Sequence, residues 1–377
     1  MSLNALSIIF LQKLVPLTYA VIGFGLLVTI HEFGHFIFCK IFNIHTPTFS
    51  IGMGPKILER KIGSTNFRLS AIPLGGYVEI AGLAEIGQGE QKFANMNDET
   101  SFNKKPYWQK VFVLCGGVMF NLLFAYVIYS TLFFIGIPKK KTFFSVSPNV
   151  KQEIQDNYKI EAGDTFISIN KQTLYNDAKA LLPVIKAELI KPILNGTEDK
   201  ILVEILRNNQ KIELEITPSS DKDLNQKFIE SFELKSEEIK GEYEKYPLLK
   251  SISMGIQVTN EWIIQMIQGI EYLIKQKSLQ GAGGPIMILS KTFETAQKGI
   301  IPLLLFLAFI SINLAIINIL PLGALDGGQL LFTTIEAVIR RDIPEIIKIS
   351  INIASWILLL SLILYLSYRD LISIFVK

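Results

Sequence analysis

Apolar and polar positions are sharply segregated along this chain. Four long stretches are nearly free of charge. A helix rising 1.5 Å per residue needs about 20 apolar residues to cross roughly 30 Å of hydrocarbon, and each stretch meets or approaches that length. The first runs from Leu14 to Ile30 and continues through His31, Glu32 and His35 to Lys40; the others run from Val111 to Ile137, Gly299 to Leu325 and Ile349 to Tyr368. Between the second and third the period becomes that of strands. Thr165 to Asn170, Lys200 to Leu206 and Lys211 to Thr217 are rich in β-branched and apolar residues, with Asn208-Asn209 closing a hairpin. These predict a small β-rich domain ending near Pro218, followed by a charged linker from Asp221 to Lys245. From Ser253 to Lys275 the isoleucines at 263, 267, 270 and 274 recur on one helical face. That pattern fits a helix lying along the membrane surface; the alternative is a helix packed on the small domain.

Composition agrees with a membrane protein: 49% of the 377 residues are apolar and 19% charged. The net charge of +3 is close to balance, and no basic run is dense enough to track a phosphate backbone, so nucleic acid is not an expected partner. Cys39 and Cys115 lie in or beside apolar blocks and read as buried thiols rather than a disulfide framework. The first block lacks the flanking pattern of a removed signal peptide. Lysines and arginines cluster between Lys40 and Lys110 and again at Arg340, Arg341 and Lys348. By the positive-inside rule these two loops are cytoplasmic, which puts both termini and the long polar insert on the other side.

The chemistry is concentrated in His31-Glu-Phe-Gly-His35, an H-E-x-x-H pattern. Residues four apart on a helix are separated by about 40° around its axis, so both imidazoles can reach one cation while Glu32 stands beside it. Imidazole nitrogens suit Zn²⁺. Ionisable groups inside a span are costly and normally paired or functional, which weighs against three polar residues merely satisfied within a bundle. Counting back from Lys40 places the motif roughly 7 to 14 Å inside the helix end. A catalytic zinc usually takes three protein ligands, and the candidate third is Asp326 in Asn318-Ile-Leu-Pro-Leu-Gly-Ala-Leu-Asp-Gly-Gly328, with Glu336 a weaker rival. Pro321, Gly323, Gly327 and Gly328 break the third span, and freed backbone at that depth needs protein or a water-filled cavity around it. Asn318 could hydrogen-bond substrate backbone or a developing oxyanion. His45 reads as an ordinary surface histidine.

H-E-x-x-H in a first span, joined to N-x-x-P…L-D-G in a later one, resembles the site-2 protease family of intramembrane zinc metalloproteases, in particular the bacterial branch that regulates sigma-E. Further matches lie along most of the chain. Phe49-Ser-Ile-Gly-Met-Gly-Pro55 and Ile72-Pro-Leu-Gly-Gly-Tyr-Val78 resemble the family's cytoplasmic-side loop and membrane re-entrant β-hairpin. Gly116-Gly-Val-Met-Phe-Asn121 resembles its second-span motif, Ala162-Gly-Asp164 with Ile167 to Asn170 a PDZ core, and Gly283-Gly-Pro-Ile286 the segment before the third span. The chain departs from the family at Gly323, where a second proline is common, at Tyr158 to Glu161 in the PDZ core, and in having room for one PDZ-like domain rather than two.

The resemblance implies an α-helical polytopic membrane protein of about four transmembrane helices, with a re-entrant β-hairpin and an inserted extracytoplasmic PDZ-like β domain. On that reading residues 1–138 hold spans one and two, 139–220 the PDZ-like domain, 221–252 a linker, 253–298 an amphipathic juxtamembrane helix and connection, and 299–377 spans three and four. It implies a zinc metalloendopeptidase of the bacterial inner membrane. Zn²⁺ would be held by His31, His35 and Asp326, Glu32 would be the general base, and Asn318, Gly75 and Gly76 would contact substrate. The implied substrates are single-span membrane proteins already shortened outside by another protease, such as anti-sigma factors or remnant signal peptides, with the PDZ-like domain screening out bulky ones. The alternatives are a membrane metal transporter and a membrane-anchored PDZ adaptor.

Overall fold

The computed structural model describes residues 3–83, 92–174, 178–195, 200–208, 210–276, 279 and 282–375. The chain forms two compact units, one from Met1–Ile135 with Lys245–Lys377 and one from Gly136–Glu244.

The first unit is mainly helical. Among the described residues four helices are long and apolar enough to cross a membrane: Leu14–Ile41, Tyr107–Ile135, Ile300–Asn318 and Glu345–Ser373. They belong to α1 (Leu3–Ile41), α2 (Tyr107–Ile135), α9 (Ile300–Asn318) and α11 (Glu345–Phe375). Lipid gives no hydrophobic drive for helices to associate, so close approach through small residues matters. The contact of α1 with α2 is of this kind: a Cβ added to Gly116 would lie 2.6 Å from the carbonyl oxygen of Gly34.

The third span is shorter than its apolar sequence suggested. Its helix stops at Asn318, at 19 residues and about 28 Å. Pro321 cannot continue it, and the chain turns through Leu322 N–H to Leu320 O (2.7 Å) and Leu325 N–H to Leu322 O (2.8 Å) before α10 (Asp326–Ile339) begins. Asp326 therefore opens a new helix beside the end of the broken one.

Between α1 and α2, β1 (Thr48–Ile62) and β2 (Thr65–Glu79) fold back on each other. Lys56 to Ile62 pair with Ser70 to Thr65, while Thr48 to Ile51 pair with Glu79 to Gly76. The bend that permits both pairings is at Gly52 and Gly54, with φ of 86° and 81°, values that glycine alone adopts freely. Phe49 to Pro55, expected as a loop, thus runs within β1.

The helix expected on the membrane surface is α7 (Leu248–Gln276), which packs along α2 and α9. Its buried positions are the small residues Ser251, Gly255 and Thr259, whereas Ile267 and Ile274 of the isoleucine face remain 54% and 71% exposed. The shorter α8 (Pro285–Gln297) follows, its first turn capped from α11 by the Asp370 carboxylate, which accepts from Gly284 N–H (3.3 Å) and Met287 N–H (2.9 Å).

The second unit is a six-stranded sheet with helices. Its strands are β3 (Ile137–Val146), β4 (Thr165–Ile169), β5 (Gln172–Thr173), β6 (Ile201–Arg207), β7 (Gln210–Ile216) and β8 (Phe232–Glu244), in the order β7-β6-β4-β3-β8 with β5 on β4. The β6–β7 pair closes tightly, Arg207 opposite Gln210, with Asn208 at φ 51°. Helices α3 (Gln152–Tyr158), α4 (Ala178–Ile185), α5 (Lys191–Asn195) and α6 (Lys222–Glu230) complete the unit.

Residues 221–252, expected as a linker, instead carry α6, the whole of β8 and the start of α7. Asp221 caps α6 by accepting from Asp223 N–H (2.9 Å), and Phe228 and Phe232 join Phe144 and Phe166 in the core. Within the same unit Asp164 is buried and bonds Arg207 through Nε (2.8 Å) and Nη2 (2.7 Å), which raises the guanidinium above its ordinary value.

Candidate active site

Two turns of α1 present His31 and His35 on one face, as the four-residue spacing requires. Their Nε2 atoms are 3.2 Å apart, and Asp326 Oδ2 lies 3.1 Å from the first and 3.5 Å from the second. A tetrahedral ion with bonds of about 2.0–2.2 Å holds its ligand atoms roughly 3.3–3.6 Å apart, so the triangle has the right size for one. The chemistry agrees. His35 Nδ1 lies 2.7 Å from the carbonyl oxygen of Val113, which can only accept, so Nδ1 carries the proton and Nε2 turns a lone pair inward. Asp326 Oδ2 is buried without a hydrogen-bond partner among the described residues. The His35 lone pair and the Asp326 carboxylate oxygen, 3.5 Å apart, repel one another, and a cation between them relieves that repulsion. His31, His35 and Asp326 fit a divalent ion of the borderline-soft kind.

Glu32 is 8% exposed and accepts the backbone N–H of Val78 on β2 at 3.1 Å. The general-base candidate is thus tied to the hairpin rather than to its own helix. Glu32, His31 and Asp326 line one cavity of about 290 Å³, shared with Asn318, Gly75 and Gly76. Gly76 packs closely between β1 and α1: a Cβ there would sit 2.9 Å from Ser50 O, 3.4 Å from Val28 Cγ1 and 3.5 Å from Glu32 Cγ. Asn318, the last residue of α9, holds its Nδ2 at 3.5 and 3.4 Å from the His31 ring nitrogens. All seven residues singled out from the sequence therefore meet at one place. Glu336 does not; it is engaged by Lys348 (2.5 Å) and Ile343 N–H (2.9 Å).

Several groups at the site carried no role in the sequence reading. Asn121 of α2 is fully buried with Nδ2 3.1 Å from His31 Nδ1. Met53 and Trp356 line the cavity. From α11, Ser355 Oγ accepts the N–H of Gly323 at 2.9 Å, in the loop leading to Asp326. The available signals were the second-span motif that ends at Asn121, and Ser355 as a polar position in an apolar span. His45 is half-buried against Phe93 (5.4 Å) rather than on the open surface, and burial pushes its imidazole down.

Apolar spans enclosing two imidazoles and two carboxylates mark a membrane-embedded metalloprotease. The sequence profile of Peptidase family M50 matches residues 19–362, and the chain belongs to that family. A protein of Helicobacter pylori provisionally named a zinc metalloprotease is 31% identical over 87% of this chain and 91% of its own length. One of Clostridium perfringens, named in the same way, is 29% identical over 94% of this chain and 98% of its own. The regulator of sigma-W protease RasP of Bacillus subtilis is 26% identical over the same shares. The chain is thus a zinc metalloprotease of the site-2 type, an intramembrane protease.

Proposed function

We propose that the protein hydrolyses peptide bonds within the transmembrane segments of single-span membrane proteins, with zinc held by His31, His35 and Asp326. The observation that carries this reading is the convergence of two Nε2 atoms and one carboxylate oxygen, 3.1 to 3.5 Å apart, beside a cavity that also holds Glu32. Zinc bound there supplies a Lewis acid that polarises a carbonyl and makes water a better nucleophile near neutral pH.

The chain's own residues do the rest. Glu32, held by the Val78 N–H, takes the proton of the attacking water and returns it to the leaving amine. Asn318 directs its amide N–H toward the carbonyl oxygen as charge develops there. A helical substrate hides its peptide bonds and has to be unwound. β1 and β2 serve as the membrane re-entrant hairpin, with the backbone of Gly75 and Gly76 lying where an extended strand can pair.

The unit Gly136–Glu244 is read as a PDZ-like domain outside the cytoplasm, on the same side as both termini of a protein of the bacterial inner membrane, and it excludes substrates with bulky external parts. The relative RasP is named a regulator of sigma-W protease, with which substrates of the anti-sigma class, first shortened by another protease, are consistent. The test is cleavage of a fluorescent single-span substrate by purified protein at matched zinc occupancy. Glu32→Gln is expected to lower the rate by about 10²–10⁴-fold. Equal cleavage by both would remove Glu32 from the mechanism, and zinc flux without cleavage would favour a transporter.

A further inference from the structure

We propose that Asn121 is a positioning residue that fixes the tautomer of His31, its side-chain oxygen accepting the Nδ1 proton so that Nε2 is free to face the metal. The inference rests on the metal site proposed above. Both imidazoles need the same help, because a neutral ring that binds an ion through Nε2 must place its proton on Nδ1, and a buried N–H needs an acceptor. For His35 that acceptor is the Val113 carbonyl at 2.7 Å. For His31 the polar side chain at Nδ1 is the amide of Asn121, whose Nδ2 is 3.1 Å away. The Asn318 amide is more distant, at 3.5 Å.

The two ends of the Asn121 amide pair with different forms of the ring. With Nδ2 toward Nδ1, the ring must accept there, and its proton sits on Nε2, 3.1 Å from Asp326 Oδ2. That arrangement leaves Asn121 Oδ1 buried with no partner among the described residues. A half-turn of the amide exchanges the two atoms in place. Oδ1 then takes Nδ1–H, and the Nε2 lone pair is released toward Asp326 and His35. The first arrangement suits the site without metal and the second suits it loaded.

The surrounding helices are arranged to hold the amide at this spot. Val113 and Asn121 lie about two turns apart on α2, and between them Gly116 and Gly117 let the backbone approach α1; a Cβ on Gly117 would lie 2.5 Å from His35 Nε2 and 2.6 Å from His31 Nδ1. The backbone carbonyl of Asn121 accepts from Ser311 Oγ on α9 at 2.9 Å, so the residue is anchored to the helix that ends at Asn318. One face of α2 thus offers an acceptor to each ring.

The experiment compares the full-length protein with Asn121→Leu, which keeps the volume and loses the acceptor, and Asn121→Asp, which offers oxygen in either orientation. Zinc affinity is measured by competition with a chelator, and ¹⁵N-imidazole spectra are recorded on histidine-labelled protein, whose three histidines keep the spectrum simple. Zinc-loaded wild type is expected to show His31 with its proton on Nδ1. Asn121→Leu is expected to bind zinc 10–100-fold more weakly, and Asn121→Asp to stay within about threefold of wild type. Unchanged affinity in Asn121→Leu, or a His31 bound through Nδ1 in wild type, would overturn the proposal. If Asn121→Leu does not fold, the wild-type spectrum decides alone. Loss of the metal-site reading has a different signature: zinc affinity of wild type that Asp326→Ala leaves untouched.

Discussion

His31 and Glu32 are neighbours in sequence, yet each depends on a different partner: Asn121 across α2 for one, the Val78 N–H of β2 for the other. Separate losses are therefore expected at this scale. Asp326→Ala should abolish stoichiometric zinc, measured by metal analysis, whereas Glu32→Gln should keep zinc and lose cleavage. Gly117→Ala places a methyl group against both imidazoles and should lower zinc content even where the protein still folds, as judged by circular dichroism and metal analysis side by side. Retention of full zinc by Gly117→Ala would mean that α2 yields more easily than its close approach implies. The spacing of His31 and His35 and the depth of Asp326 were legible in the sequence because they follow from helix period and from the cost of ionised groups in lipid. The acceptors of the imidazole protons were not, because a backbone carbonyl carries no sequence signal and Asn121 acquires its role only when α2 packs on α1.

At the level of elements, the decisive feature is the break after Asn318. The sequence announces it through Pro321 and three glycines, but not what steadies it. The glycine at 323 keeps an N–H that Ser355 of α11 satisfies, and α11 comes so near that a Cβ at this position would be 3.1 Å from Asn352 Cα. Ser355→Ala should leave that N–H unpaired at membrane depth, costing about 1–3 kcal/mol in thermal stability and loosening the loop before Asp326, while Ser355→Thr preserves the bond. A melting temperature indifferent to Ser355→Ala would contradict this. β8 is hidden in the sequence for a related reason. Phe232-Glu-Leu-Lys alternates apolar and charged residues, but Ser236-Glu-Glu238 breaks the alternation, and the charge that protects an edge strand resembles a solvated linker in composition.

For the molecule as a whole, the consequence is a revised boundary. Ile137 pairs with Glu244, so the second unit begins and ends on neighbouring strands and leaves the chain where it entered. A fragment of residues 136–244 is expected to fold alone with a cooperative thermal transition, whereas residues 139–220 lack β8 and Phe228 and should not. Cooperative melting of the shorter fragment would restore the boundary read from the sequence. Removing the partner of buried Asp164 by Arg207→Met should cost that unit about 3–5 kcal/mol, read by denaturant titration of the 136–244 fragment.

A single ion gripped by residues far apart in sequence is tested most directly by X-ray absorption at the zinc edge of the purified, zinc-loaded protein. Two imidazole nitrogens and oxygen ligands at about 2.0–2.2 Å are expected, with no sulfur. A zinc–sulfur distance of about 2.3 Å, bringing in Cys115 from α2, or fewer than two imidazoles, would contradict it.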